Sequence, residues 1–419
     1  MRGWMVAGNS HRQRLKPLRC VLAAGVPAAL LALAGFARAE LPANFQNGKA
    51  GYVVAHFAYA LSPKDAREVP GACPEGVSLG PAQIIAATPE GKQREGESEA
   101  DYARRMNQMA FAFGQTRDGK NVCTNPESAG PDPKHFRTIV GNAIPVDGID
   151  LDGQDSRAKG KPAGNTCAHD DFTSPTGQHG IDNQFYRVVG CSQSFQPTGM
   201  SNSFEIEMHT GAWGVLITLS GVDDLKNDPD VEVGIAANAD PIQLSPSREP
   251  LADSTYAIDQ DPRFQAKTHG RIVNGVLTTD PVDMRFHLVT NSIRLERPIR
   301  DARLLAHINA DGSLEGYLAG YTPVEDMYDY QFGFRNGKDG AGKPANPRLI
   351  TGSANGQARV LGWTCNGAYY ALKQFADGHR DPVSGQCTSI STQYKFKAIP
   401  AFVVSTNTHS VNENLDKPK

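Results

Sequence analysis

Residues 271–279 read Arg-Ile-Val-Asn-Gly-Val-Leu-Thr-Thr, and this stretch says most about the fold. β-Branched residues stand on both sides of Asn274-Gly275, the dipeptide that two-residue hairpin turns favour because both central residues need a positive φ. The stretch therefore predicts two antiparallel strands joined by a tight turn.

Further strands are predicted on both sides of this hairpin, at 51–62, 213–219, 304–318 (turning at 310–312) and 391–404. Apolar residues recur at helical spacing over 99–114, and a second helix is expected at 367–376. Short strands separated by Gly, Asn, Asp and Pro predict a mainly β protein. We expect a disulfide-stapled β-sandwich or open barrel with one or two peripheral helices.

The first 39 residues have the layout of a bacterial secretory signal peptide. A basic run precedes an apolar stretch at 20–36, and Ala37-Arg38-Ala39 forms a cleavage signal before Glu40. This predicts a periplasmic or secreted protein. No later stretch has 18 uninterrupted apolar residues, so no transmembrane segment is expected after cleavage.

The chain is expected to divide into a cleaved leader, a leading segment, a main body and a tail. The leading segment carries one strand and one amphipathic helix and is expected to pack on the β-rich main domain. The predicted ranges are a signal peptide at 1–39, an N-terminal segment at 40–135, a main domain at 136–405 and a flexible tail at 406–419.

The charge of the mature chain excludes some classes of partner. The chain has 42 Lys and Arg against 45 Asp and Glu, and six of the basic residues but none of the acidic ones lie in the leader. The mature net charge is therefore about −9. Without a long basic block, such a chain is a poor candidate for binding nucleic acid or anionic membranes.

Six cysteines remain after cleavage, an even number in an oxidising compartment, which predicts a disulfide framework. They are Cys73, Cys123, Cys167, Cys191, Cys365 and Cys387. Pairing in sequence order is favoured because Cys167 with Cys191 and Cys365 with Cys387 would close short loops. Two alternatives stay open: a metal site made of Cys167, His169 and Cys191, and a redox-active cysteine pair.

Carboxylates are densest at 147–155, where Asp147, Asp150, Asp152 and Asp155 lie within nine residues around two glycines. Ca²⁺ prefers several oxygen ligands, which closely spaced Asp residues in a turn can supply. Asp182 is included as a fifth ligand, and Asp170, Asp171 and Asn183 as further candidates. Two hypotheses remain open: a calcium site that stabilises the protein, and a solvated acidic turn.

A second polar pattern lies at 203–210, where Glu205, Glu207 and His209 alternate with apolar residues. If this segment is a strand, the three side chains share one face. Paired carboxylates on one face are how many glycan hydrolases present their acid and nucleophile. The same alternation is also typical of any half-exposed strand.

Three short motifs carry a resemblance to a group of known proteins. They are Gly180-Ile-Asp-Asn-Gln-Phe185, Cys387-Thr-Ser-Ile-Ser391 and Ala398-Ile-Pro-Ala401. Over 140–405 the chain resembles uncharacterised secreted or lipid-anchored proteins of Gram-negative bacteria that carry a G-[IV]-D-N motif ahead of a β-rich body. The resemblance implies an extracytoplasmic β-rich protein and brings no activity with it.

Two functions are therefore expected from different classes. The first is an extracytoplasmic binding or structural protein, whose partner is a glycan or another envelope protein. The second is a secreted hydrolase that acts on a polysaccharide through Glu205 and Glu207, with His209 beside them.

Overall fold

The computed structural model describes residues 42–62, 71–116, 118–155, 164–195, 199 and 203–406. The expected signal peptide and the expected tail from residue 407 onward lie outside these residues. The described residues belong to one compact unit. No helix among them is both long enough and apolar enough to cross a membrane.

Thirteen strands occur within the described residues. They are β1 (Ala50–Tyr59), β2 (Phe172–Thr173), β3 (His179–Ile181), β4 (Val215–Ser220), β5 (Asn227–Ala237), β6 (Thr255–Ala257), β7 (Gln265–Val273), β8 (Val276–Thr279), β9 (Val282–Thr290), β10 (Ile293–Ile308), β11 (Leu314–Pro323), β12 (Gly378–Arg380) and β13 (Cys387–Val404).

Seven α-helices occur within the same residues. They are α1 (Pro81–Ala86), α2 (Glu99–Phe113), α3 (Gln184–Val189), α4 (Ser203–Met208), α5 (Val324–Tyr328), α6 (Pro347–Leu361) and α7 (Cys365–Gln374). Single turns of 3₁₀-helix lie at Pro89–Gly91, Pro126–Ser128, Gln193–Phe195 and Pro262–Phe264, and a π-helical turn at Asp329–Gly333 follows α5.

Eight strands, which we call the ring, form a closed circuit of hydrogen-bonded neighbours. Their order is β1, β4, β5, β7, β8, β10, β11 and β13, and β13 pairs again with β1. Every pairing in the circuit is antiparallel. Because the circuit closes, the ring avoids the exposed edges that an open sheet would present.

One apolar cluster, which we call the ring core, contains residues from all eight of these strands. Phe57 of β1 stacks on Tyr394 of β13 with ring centroids 4.7 Å apart, and it meets Trp213 and Phe286 edge-on. All four side chains are almost fully buried. Burial of large apolar side chains is the main favourable contribution to folding, so the ring core is the principal source of stability.

The predicted mainly β class with disulfides is confirmed, and so is the hairpin at 271–279. β7 ends at Val273 and β8 begins at Val276, while Asn274 and Gly275 between them have φ of 53° and 83°. These positive values are the ones that a two-residue hairpin turn requires. β1 belongs to the expected N-terminal segment, yet it lies in the ring between β4 and β13.

Three disulfides form within the described residues, but their pairing is not the sequential one. Cys73 bonds Cys191, Cys123 bonds Cys365, and Cys167 bonds Cys387, with Cα atoms 5.7, 4.9 and 6.0 Å apart. The preference for short loops was therefore wrong. The physical reason is that folding brings together segments 118 to 242 residues apart in sequence, and each bridge fastens a loop or helix to a distant part of the chain.

Candidate metal centre

Five ionisable side chains converge beside β13, and we call them the His169 cluster. Nε2 of His169 lies 2.7 Å from Oδ1 of Asp182, 3.0 Å from Oδ1 of Asp171 and 4.0 Å from Oδ2 of Asp377. Asp152 completes the cluster, since one of its carboxylate oxygens lies within 4.8 Å of ligand atoms of both His169 and Asp182. Four of these side chains come from residues 152–182, and the fifth, Asp377, comes from a segment far away in sequence.

His169 is oriented by its second ring nitrogen. Nδ1 lies 2.8 Å from the carbonyl oxygen of Cys167, so an N–H at Nδ1 donates to that carbonyl and Nε2 faces the carboxylates. Histidines that bind metals commonly use their other nitrogen in this way. The local backbone thus presents the atom of His169 that a metal ion would need.

The Cys167–Cys387 disulfide and one backbone hydrogen bond hold the His169 segment next to Asp377. The N–H of Cys167 donates to the carbonyl oxygen of Asp377 at 2.7 Å. Oδ1 of Asp377 in turn accepts from the N–H of Ser391 at 2.7 Å. β13 therefore fixes both sides of the cluster, because it contains Cys387 and Ser391.

Gln393, also on β13, holds residues 147–155, which we call the acidic loop, against Asp182. Its Oε1 accepts from the N–H of Ile149 at 2.7 Å, and its Nε2 donates to the carbonyl oxygens of Ile149 and Asp182. Oδ2 of Asp182 accepts from the N–H groups of Leu151 and Asp152 at 2.5 and 3.2 Å. The fully buried Asp182 is thus the point at which the loop and the cluster join.

The cluster concentrates negative charge in a buried place. Burial raises the pKa of Asp182 and of Asp377 to about 6, and burial together with the neighbouring carboxylates raises that of Asp150 to about 6 as well. Burial alone would lower the pKa of His169, but hydrogen bonds to Asp171 and Asp182 raise it to about 12. The site therefore strongly favours a bound positive charge, which is either a proton on His169 or a metal ion.

Two buried oxygens beside the cluster have no hydrogen-bond partner among the described residues. One is Oδ2 of Asp377 and the other is the hydroxyl of Tyr321. Burial raises the pKa of Tyr321, and the carboxylates of Asp182, Asp377 and Asp152 raise it further, which places the hydroxyl near them. Unpaired buried polar atoms are rare in folded proteins and call for an unseen partner such as an ion or a water.

Arg187 interacts electrostatically with Asp171 and Asp377, but its N–H groups donate to other acceptors. They donate to the carbonyl oxygens of Asp170 and Gly141 at 2.6 Å and to Oε1 of Gln184 at 2.8 Å. Arg187 therefore offsets part of the negative charge without contacting the cluster carboxylates.

Not all of the ligands expected from the sequence lie in the cluster. Asp152 and Asp182 do, and Asp150 lies beside them with Oδ1 accepting from the N–H of Gly153. Asp147 does not, because its carboxylate pairs with Lys395 and accepts from the hydroxyl of Tyr317. For Asp155 the structure gives a half-buried position and no place among the cluster ligands.

The sequence analysis named Asp171 as a further candidate ligand of the acidic turn. It named His169 only as part of a separate metal site with two cysteines. Cys167 and Cys191, the partners expected for His169, are both in disulfides, so that metal site is not formed. Asp377 was missed entirely. It lies in a short segment before β12 with no acidic neighbours, and only the folding of β13 brings it to His169.

The strand expected at 203–210 is wrong, because residues 203–208 form helix α4. Positions two apart on a helix point to nearly opposite sides, so Glu205 and Glu207 do not form a carboxylate pair. Oε1 of Glu205 accepts from the N–H of Phe57 at 2.9 Å, and Nε2 of His209 lies 2.8 Å from the carbonyl oxygen of Ala55. The geometric basis of the hydrolase hypothesis is therefore absent.

A second group of possible ligands lies nearer the surface. His56, His209 and Glu249 each offer one ligand atom, and these atoms lie within 4.8 Å of one another. His56 is exposed and the other two are half-buried, so solvent compensates their charges more fully than in the His169 cluster.

No protein-family model, no curated protein and no solved structure matches this chain.

Proposed function

We propose that this chain is an extracytoplasmic, β-rich binding or structural protein in which the His169 cluster holds a divalent cation. The observation that carries the proposal is Oδ2 of Asp377, a fully buried carboxylate oxygen without a hydrogen-bond partner among the described residues. It lies 4.0 Å from Nε2 of His169. A buried carboxylate oxygen without a hydrogen-bond partner is costly, and a cation shared by the cluster would give this oxygen a partner.

The donor set favours a particular kind of cation. One imidazole nitrogen with several carboxylate oxygens suits Zn²⁺ or Mn²⁺, whereas Ca²⁺ prefers oxygen ligands alone. The separations of 2.7 and 3.0 Å between Nε2 and two carboxylate oxygens are those of hydrogen bonds from a protonated imidazole, so an ion bound at Nε2 would replace that proton. We therefore propose Zn²⁺ or Mn²⁺ ahead of the calcium expected from the sequence.

The burial of the cluster supports a structural role for the cation. Asp182 and Asp377 are fully buried, and the side chain of His169 is only 9% exposed. Structural metal sites are closed in this way, whereas catalytic sites keep a position open to substrate. A cation here would join the acidic loop, the His169 segment and β13, and its binding energy would add to the stability of the folded state.

The proposed location rests on the leader-like residues 1–39 and on the three disulfides, which persist in oxidising compartments. The proposed binding partner is the one expected from the sequence, a glycan or another envelope protein.

Thermal melting with and without a chelator tests the proposal. A cation at ~100 times its Kd that binds only the folded state stabilises it by about 2.7 kcal/mol. Chelator should therefore lower the melting temperature, and Zn²⁺ or Mn²⁺ should restore it more completely than Ca²⁺ does. NaCl at equal ionic strength controls for general screening of an acidic protein.

The double variant Asp152→Asn with Asp182→Asn should lose this response, because two ligand charges are gone. In chelator it should melt below the wild-type protein, because Asp182 also pairs with protonated His169, so the diagnostic result is the lack of any difference between chelator and metal. Asp240→Asn with Asp280→Asn removes the same charge from exposed positions and should respond like wild type. Identical melting of the wild-type protein in chelator, in metal and in NaCl would refute the cation.

A further inference from the structure

A cavity of about 300 Å³ lies between β9, β10 and the segment that follows the π-helical turn. Its wall combines apolar and aromatic groups, among them Phe264, Leu295 and Tyr330, with charged side chains. The volume is at the lower end of the range for small-molecule sites, which are typically apolar with a few placed polar groups. The cavity shares no residue with the His169 cluster.

Arg294 and Lys338 form an unusual pair in this wall. Their backbones exchange two hydrogen bonds of 2.8 Å in an antiparallel bridge, so the residues lie directly opposite each other. In such a pair the two side chains are neighbours on one face, and like charges there are destabilising. Neither side chain has a carboxylate within ion-pair distance in the part of the chain that the structure describes.

The backbone around Lys338 packs unusually closely against β10. A Cβ atom at Gly337 would lie 2.2 Å from Cγ2 of Ile293, so only glycine lets the 334–345 segment come so close to β10. The carbonyl oxygen of Gly337 also accepts from the N–H of Ala345 at 2.8 Å, which closes the segment into a loop. The close pairing of the Arg294 and Lys338 backbones is therefore a fixed feature of the fold.

Two of the acidic side chains that line the cavity form ion pairs with arginines other than Arg294. Glu296 pairs with both Arg263 and Arg285. Asp329 pairs with Arg335 and also accepts from Nδ2 of Asn336.

Asp326, the remaining carboxyl, is half-buried. Burial raises its pKa, while its attractive charge interactions are with Arg285 and Arg300. Arg294 and Lys338 thus keep an uncompensated positive charge at the cavity.

We infer that this cavity binds a small organic anion, a carboxylate or phosphate group on an apolar body, with Arg294 and Lys338 pairing with the anionic group. An anion placed between them replaces their mutual repulsion with two charge-assisted hydrogen bonds. The aromatic wall then covers the apolar body of the ligand. This function goes beyond the proposed cation site and does not depend on it.

Calorimetric titration of the full mature chain with benzoate and with phenyl phosphate tests this inference, at constant ionic strength set with NaCl. We expect saturable binding of at least one of them with Kd below about 1 mM, corresponding to about −4 kcal/mol. The anion that binds more tightly identifies the ligand as a carboxylate or a phosphate ester. Repeating the titration in chelator separates this site from the His169 cluster, and the affinity should not change.

The variant Arg294→Gln with Lys338→Gln should bind the preferred anion at least tenfold more weakly. Lys267→Gln with Arg271→Gln removes the same charge from exposed positions on β7 and should bind within about twofold of wild type. The inference is overturned if the wild-type protein binds neither anion below about 1 mM. It is equally overturned if both variants lose affinity to the same extent, because that would reflect net charge alone.

Discussion

The ring core and the region around the His169 cluster are held together by different physical means. In the ring, eight strands bury their apolar faces in one cluster, and the regular backbone pairing is complete around the circuit. Residues 144–155 and 164–195, which we call the cluster region, contain only two short strands, one α-helix and a 3₁₀ turn. This region buries a smaller apolar cluster, which includes Val146, Phe172 and Ile181, and adds disulfides, buried side-chain hydrogen bonds and ionisable groups to it. The comparison teaches that irregular segments with a small apolar cluster can be held by crosslinks and polar contacts in addition to burial.

The largest expected effect comes from breaking the ring core. Phe57→Ala removes a ring that is 1% exposed and packed against Trp213, Phe286 and Tyr394, which should cost about 3–5 kcal/mol in the free energy of unfolding. Phe111→Ala is the matched control, because that side chain is 60% exposed and its loss should change stability by about 0.5 kcal/mol or less. Urea unfolding followed by circular dichroism measures both. Similar losses for the two variants would contradict the primacy of the ring core.

The next effect should come from the disulfide that anchors the cluster. Cys167→Ser with Cys387→Ser should cost about 2–5 kcal/mol and increase hydrogen exchange in the cluster region more than in the ring. It should also weaken metal binding, because His169 is no longer held beside Asp377. Cys123→Ser with Cys365→Ser breaks a bridge that fastens α7 instead, so metal affinity should stay unchanged. If both pairs of substitutions weaken metal binding equally, the cluster is not specifically anchored by the first bridge.

A smaller effect should follow from removing the clamp between the two regions. Gln393→Leu leaves the buried N–H of Ile149 and the carbonyl oxygens of Ile149 and Asp182 without their partner, at a cost of about 1–3 kcal/mol. Exchange of the amide protons at Ile149 and Leu151 should rise, while amides in β5 and β7 stay protected. Uniform loss of protection across β5 and β7 would mean that Gln393 supports the ring itself.

Regular elements, such as the strands of the ring, were easier to predict from the sequence than the cluster region. The hairpin at 271–279, β1, β13 and α2 were predictable because each carries its own periodicity or turn residues. α6 was missed because Gly352 and Gly356 interrupt its helical pattern, and α4 was mistaken for a strand because six residues fit either period.

The cluster was only partly predictable. Asp152 and Asp182 stood out through local charge density, whereas the position of Asp377 depends on long-range pairing that no local pattern encodes. The disulfide pairing failed for the same reason.

The smallest effect concerns an ion pair outside both regions, between Arg105 of α2 and Glu97 at 2.8 Å. Hydrogen bonding to Arg105 lowers the pKa of Glu97 to about 2. A carboxyl group whose pKa is lowered by folding adds stability above its ordinary pKa and loses that contribution as the pH falls toward 2. Glu97→Gln should therefore lower the urea midpoint slightly at pH 7, and the difference from wild type should shrink as the pH falls toward 2, where the folded carboxyl is half protonated. A difference of constant size between pH 7 and pH 2 would show that the effect is not electrostatic.

Native mass spectrometry of the protein tests most directly whether the cluster region is held by a cation. After exposure to Zn²⁺ or Mn²⁺ and desalting, the native mass should exceed the denatured mass by one divalent ion. The excess should disappear in Asp182→Asn with Asp377→Asn, whose amide oxygens still accept the local backbone hydrogen bonds. It should persist in Asp240→Asn with Asp280→Asn. Equal native and denatured masses for the wild-type protein, or an equal excess in all three proteins, would contradict the account.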